Sequence, residues 1–176
     1  MKNQPTDKLH TNVGRMLLVL GAFLFVGYYS TVAFSTHDAV WFGKSFDALP
    51  SRMIVYHEGT RTELTPQHPQ FAALAEAVRS SLAQGVSHAS GIGFSSETLD
   101  DAYGMYTTLE VFFDTRVKLH ATFATGEPDQ MLFPITGRHS EQALVLLGLS
   151  GQYMVNAPIL KTIEPIRAVL RQMGYL

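Results

Sequence analysis

Apolar and polar positions divide the chain into one long unbroken apolar block and a series of short periodic segments. From Met16 to Phe34 the sequence reads MLLVLGAFLFVGYYSTVAF, and nothing from Met16 to His37 carries a formal charge with histidine neutral. A helix of this length covers roughly 30 Å, the thickness of a bilayer's hydrocarbon layer. Met16, Leu17, Leu18, Leu20, Leu24, Phe25 and Val26 favour insertion, the aliphatic and aromatic ones by roughly a few tenths of a kcal/mol each. Glycine, hydroxyl residues and two tyrosines in the block oppose part of that gain. The block is apolar on all faces, which argues against a core helix with one buried stripe.

Behind the block the periods shorten. Met53–His57 and Thr60–Leu64 read as two strands joined at Glu58-Gly59, with Gly59 supplying a positive φ. That register sets Tyr56 opposite Arg61. Phe71, Leu74, Val78 and Leu82 recur at intervals of three and four, which predicts a helix begun near Pro66 or Pro69 and stopped by Gly85. Residues 85–96 are rich in Gly, Ser and Ala and read as a loop.

The strongest alternation lies in Thr107–Phe113 and Val117–Phe123. A loop of Asp114-Thr115-Arg116 aligns Phe113 with Val117, Val111 with Leu119 and Leu109 with Ala121, leaving Glu110 opposite His120 on the outer face. Met131–Thr136 reads as an edge strand, because Pro134 cannot donate to a ladder. Ala143–Leu149 fits a buried strand or a short helix, and its length favours the strand. Gln152–Val155 returns from a turn at Ser150-Gly151. Ile166, Val169, Leu170 and Met173 then form the apolar face of a last helix, capped by Thr162 and ended by Gly174.

The expected fold is therefore α+β. One N-terminal transmembrane helix precedes a small domain with an antiparallel sheet and two helices on one face, in the order ββα, four or five strands, α. The expected divisions are a cytoplasmic tail over 1–15, the membrane helix over 16–34, a linker over 35–50 that reads as a simple tether, and an extracytoplasmic domain over 51–176.

Charge sets the orientation. Lys2, Lys8 and Arg15 precede the block with only Asp7 against them, so the N-terminal side is expected to stay in the cytoplasm of a single-pass plasma-membrane protein. Arg15 on one side, and Trp41 with Phe42 on the other, fall at the expected interfaces. The rival reading is a cleavable signal peptide, since Thr31-Val32-Ala33 places small residues before a cut after Ala33. The block is longer than the 7–15 residues of an ordinary signal core, which favours the anchor. Gly27, Thr31 and Ser35 recur every fourth residue and would let another helix approach, although small residues are common in any single span.

Composition narrows the chemistry. The chain has 176 residues, a formal net charge of -2 and no cysteine. Disulfides, thiolate metal sites and a cysteine nucleophile are excluded, and there is no basic field for nucleic acid. No phosphate-binding glycine loop, nucleophile elbow or histidine pair at helical metal spacing occurs, so no cofactor and no metal are expected. The surface-site candidates are Glu110, Phe112, Lys118 and His120. Glu110 and His120 could act as a base and its orienter, but an ordinary cross-strand pair explains them equally. Glu97, Asp100 and Asp101 read as a solvated loop face.

The function expected from the sequence is an exported interaction module, anchored in the lipid bilayer and bound to a membrane or envelope protein, as an accessory subunit would be. The alternatives are an envelope hydrolase using Glu110 and His120, and a small-ligand sensor signalling through the helix.

Overall fold

The computed structural model describes residues 7–176. Residues 1–6 of the expected tail, Lys2 among them, lie outside that range. The first helix, α1 (Asp7–Thr36), contains the whole apolar block and extends it at both ends. Its span from Asn12 to Thr36 is long and apolar enough to cross a membrane, and nearly all of its surface is bare. Both a membrane anchor and a signal sequence meet that description.

The domain is a mostly antiparallel α+β fold built on a six-stranded sheet. Its strands are β1 (Arg52–His57), β2 (Thr60–Leu64), β4 (Thr108–Phe112), β5 (Gln130–Pro134), β6 (Leu146–Leu149) and β7 (Gln152–Tyr153), in the spatial order β2-β1-β4-β5-β6-β7. The hairpin β1–β2 forms in the expected register, with Tyr56 opposite Arg61. Glu58 and Gly59 both take positive φ, as a tight hairpin turn requires. A second, two-stranded sheet pairs β3 (Val86–Ala89) with β8 (Pro158–Leu160).

Three further helices pack on the sheet. Helices α2 (Phe71–Ala83) and α4 (Glu164–Gln172) lie against each other over one face, where Leu74, Val78, Ile166 and Leu170 meet Met53, Val55, Leu109, Val111 and Phe133. Gly85 and Gly174 follow them with φ of +85°, as the stop signals predict. Helix α3 (Ser96–Gly104) lies on the opposite face, where Leu99 and Tyr103 join a smaller core around Leu132, Leu144 and Leu146.

Several expectations are corrected here. The domain has three helices, not two, and they cover both faces. Val117–Phe123 is not a strand. Both edges of β4 are already taken, by β1 and by β5, so no edge is left for a hairpin with Val117–Phe123. The alternation there is real, since Val117, Leu119 and Ala121 are buried, but it serves a connection without ladder pairing. Strand β5 is interior rather than an edge; Pro134 sits at its last position, where the missing N–H costs nothing. Ala143 takes φ of 50°, so only Leu146–Leu149 of the apolar run is extended strand. The glycine-rich stretch after Gly85 contains β3.

The segment after α1 is not a free tether either. Phe46 is buried in the main core, its ring 5.8 Å from that of Phe113. Asp38 is only 4% exposed.

Candidate functional site

Two groups of polar side chains stand out, and they divide the residues that the sequence singled out. The first surrounds Glu110. Alternation along β4 turns Glu110 away from the α2–α4 face, in register with Ile54 and Leu132. That face is covered rather than solvated, and Glu110 is 7% exposed. Its carboxylate accepts hydrogen bonds from three phenols: Tyr56 at 3.2 Å, Tyr103 at 3.2 Å and Tyr153 at 2.5 Å. A buried carboxylate needs such donors, because an unpaired one is expensive to desolvate.

The phenols come from β1, α3 and β7, so the cluster ties three separate elements to the middle of the sheet. Burial raises the pKa of all three tyrosines above the ordinary 10, and the nearby Glu110 charge raises it further. Phe112, on the same face, lies under the Arg52 guanidinium at 4.1 Å.

The expected pairing of Glu110 with His120 does not occur. Glu110 is a buried hydrogen-bond acceptor, not a surface group, and its oxygens are occupied by phenols. His120 lies in the long connection between β4 and β5 and has a different partner, so the proposed base-and-orienter arrangement is not formed.

The second group joins α1 to the domain. Helix α1 ends with His37 at φ of 53° and the Asp38 N–H bonded to the Ala33 carbonyl at 3.1 Å, a left-handed helix stop that turns the chain sharply. The carboxylate of Asp38 then meets His120 Nδ1 at 2.7 Å and accepts from the Val40 N–H at 3.0 Å. Lys118 donates to the His37 carbonyl at 2.6 Å. Burial opposes the charge on Asp38, but the hydrogen bonds from His120 and Val40, with the charges of His120 and Lys118, outweigh it and hold its pKa below the usual aspartate value.

After Asp38 the chain folds back on the helix. Trp41 stands edge-on to Tyr28 with ring centres 5.7 Å apart, Phe42 lies 6.5 Å from Tyr29, and the Tyr29 hydroxyl donates to the Ala39 carbonyl at 2.7 Å. These rings form an aromatic collar around the end of α1. The buried indole N–H of Trp41 meets no acceptor among the described residues. Gly43 closes the turn by donating to the Val40 carbonyl at 2.7 Å.

The remaining sequence candidates fall as follows. Met16, Leu17, Leu18, Leu20, Leu24, Phe25 and Val26 are all exposed on α1. Gly27, Thr31 and Ser35 are also exposed, with Thr31 bonded to the Gly27 carbonyl and Ser35 to the Val32 carbonyl, so their hydroxyls are satisfied within the helix. Sequence reasoning placed Lys118 and His120 on a surface, but it missed Asp38 and the three tyrosines. The signal for the tyrosine cluster was Glu110 itself, the one charged residue in the apolar strand TLEVF. No group of acidic and histidine side chains able to hold a metal ion is found among the described residues. Comparison with protein-family models, curated proteins and solved structures finds no match to this chain.

Proposed function

We propose that this chain is a single-pass membrane protein whose domain is held in a fixed posture on the outer membrane surface and binds another membrane or envelope protein. The observation that carries this reading is the clasp of Asp38, His120 and Lys118. A domain that only needed tethering requires no buried contact with its anchor. Here the connection 113–129, long and without ladder pairing, is devoted in part to gripping the helix end. Long irregular connections of this kind are uncommon unless they serve a purpose. The aromatic collar, which ties Tyr28 and Tyr29 of α1 to Trp41 and Phe42 behind the helix, supports the anchor over a cleaved signal.

The orientation test exploits the absence of cysteine. Single-cysteine variants Lys2→Cys and Glu127→Cys are exposed to a membrane-impermeant maleimide in intact cells. Labelling at Glu127→Cys alone is the expected result; labelling at Lys2→Cys alone would reverse the topology. For the partner, a photocrosslinker is placed in intact membranes at Val155, which is 75% exposed, and at Met105 and Leu49, also exposed. The reading expects one discrete adduct, strongest from one of these positions. Recovery of uncrosslinked protein from all three would remove it.

A sensor reading draws on the same clasp, because a helix gripped by the domain can carry its motion across a bilayer. It differs in requiring a small ligand to change the clasp geometry.

A further inference from the structure

An open cleft of about 240 Å³ lies beside the clasp, lined by Trp41, Lys44, Gly85, His120, Thr122 and Lys161 among others. It is too small for a drug-sized ligand but roomy for a phosphate group and its ester oxygens. No Asp or Glu lines it. Lys44 and Lys161 form no ion pair with any described carboxylate, and both are solvent-exposed. Asp38 occupies His120 through Nδ1, which leaves Nε2 without a partner among the described residues. Asp38, which reaches the cleft residue His120, also accepts from the Val40 N–H.

The position of the cleft adds the second argument. Trp41 and Phe42 line it and also belong to the aromatic collar on Tyr28 and Tyr29. Aromatic rings with a polar edge settle at the headgroup level of a bilayer. With α1 spanning the membrane, the collar puts the cleft among lipid phosphates rather than in bulk solvent. Two ammonium groups at that depth attract anionic headgroups.

We infer that this cleft holds the phosphodiester of an anionic phospholipid headgroup, with Lys44 and Lys161 as its charge partners and Trp41 as its wall. The inference rests on the proposed membrane anchoring of α1. Free phosphate shares the same chemistry, and the experiment separates the two sources.

Trp41 is the chain's only tryptophan, so its fluorescence reports the cleft directly. The full chain in neutral detergent is titrated with phosphatidylglycerol, with phosphatidylcholine and with inorganic phosphate in parallel. The expected result is a saturable change with phosphatidylglycerol, not reproduced by the other two. In the double variant Lys44→Gln with Lys161→Gln the midpoint should move about tenfold or more to higher lipid. Both lysines are exposed, and an unchanged thermal melt by circular dichroism verifies that the variant is folded. A wild-type midpoint in the folded double variant, no response at all, or an equal response to inorganic phosphate would each overturn the inference. Carbonate extraction of native membranes tests the underlying anchor separately. If the chain is extracted, the anchor reading fails; if it resists extraction yet gives no lipid response, only the cleft assignment fails.

Discussion

A single carboxylate organises one face of this domain. Glu110 gathers hydroxyls from three elements that are far apart in sequence, and its removal would leave three half-buried phenols short of an acceptor. Replacing it by alanine should cost about 2–4 kcal/mol, combining lost hydrogen bonds with a cavity. Urea unfolding of the full chain in mild detergent measures this. A loss below 1 kcal/mol would mean that the cluster is incidental, given that a single unsatisfied buried group already costs about that much. The same contacts set an alkaline dependence. Because Tyr56, Tyr103 and Tyr153 are raised above 10 in the folded chain, their contribution is complete below pH 10. It is lost as pH rises further, since the unfolded chain releases those protons first. Absorbance at the phenolate band should show these three tyrosines ionising late and together with unfolding.

At the scale of elements, the decisive contact is between the end of α1 and the connection 113–129. Asp38 has a folded pKa below its ordinary 3.8, so the unfolded or undocked state takes up the proton first. The clasp is therefore intact above pH 3.8 and weakens as pH falls through the lower folded value. Spin labels at Ser35→Cys and Glu127→Cys should give a narrow distance distribution at neutral pH. That distribution should broaden below pH 3.8, and also at neutral pH in Asp38→Asn or His120→Ala. In the double variant the broadening should be no greater than in either single one, as expected for two residues acting as a pair.

Elements with local instructions were legible in the sequence. Glu58-Gly59 specified its hairpin because a tight turn needs two positive φ values, and the periods of α2 and α4 follow from one apolar face each. What failed depended on distant partners. Val117–Phe123 alternates as a strand does, yet the rule that reads alternation as pairing cannot know that β1 and β5 already flank β4. Helix α3 buries only Ala102 fully, so it has almost no apolar period, although Ser95 capping the Thr98 N–H was a usable start signal. Strands β3 and β8 are four and three residues long and meet across more than 70 positions, Val86 against Leu160. Glu110 was assigned to the correct sheet face, but the cover provided by α3 and Tyr153 is a long-range property. The clasp was invisible for the same reason: 82 positions separate Asp38 from His120.

For the whole molecule, the proposed anchoring makes the bare helix and the folded domain, joined by a gripped junction, one rigid lever. Because α1 turns 100° per residue, the grip fixes a compass bearing as well as a height. Every side chain on the bare helix, Phe34 at 82% exposure included, keeps a constant heading relative to the sheet. A neighbour in the membrane that touches both helix and domain must then approach from one azimuth only. Inserting one alanine between Val26 and Gly27 would swing the lower helix about 100° against the domain, and inserting four, close to one full turn, would nearly restore the heading. Crosslinking to such a neighbour should vanish with one added residue and largely return with four, a periodic recovery that a swivelling anchor would never produce.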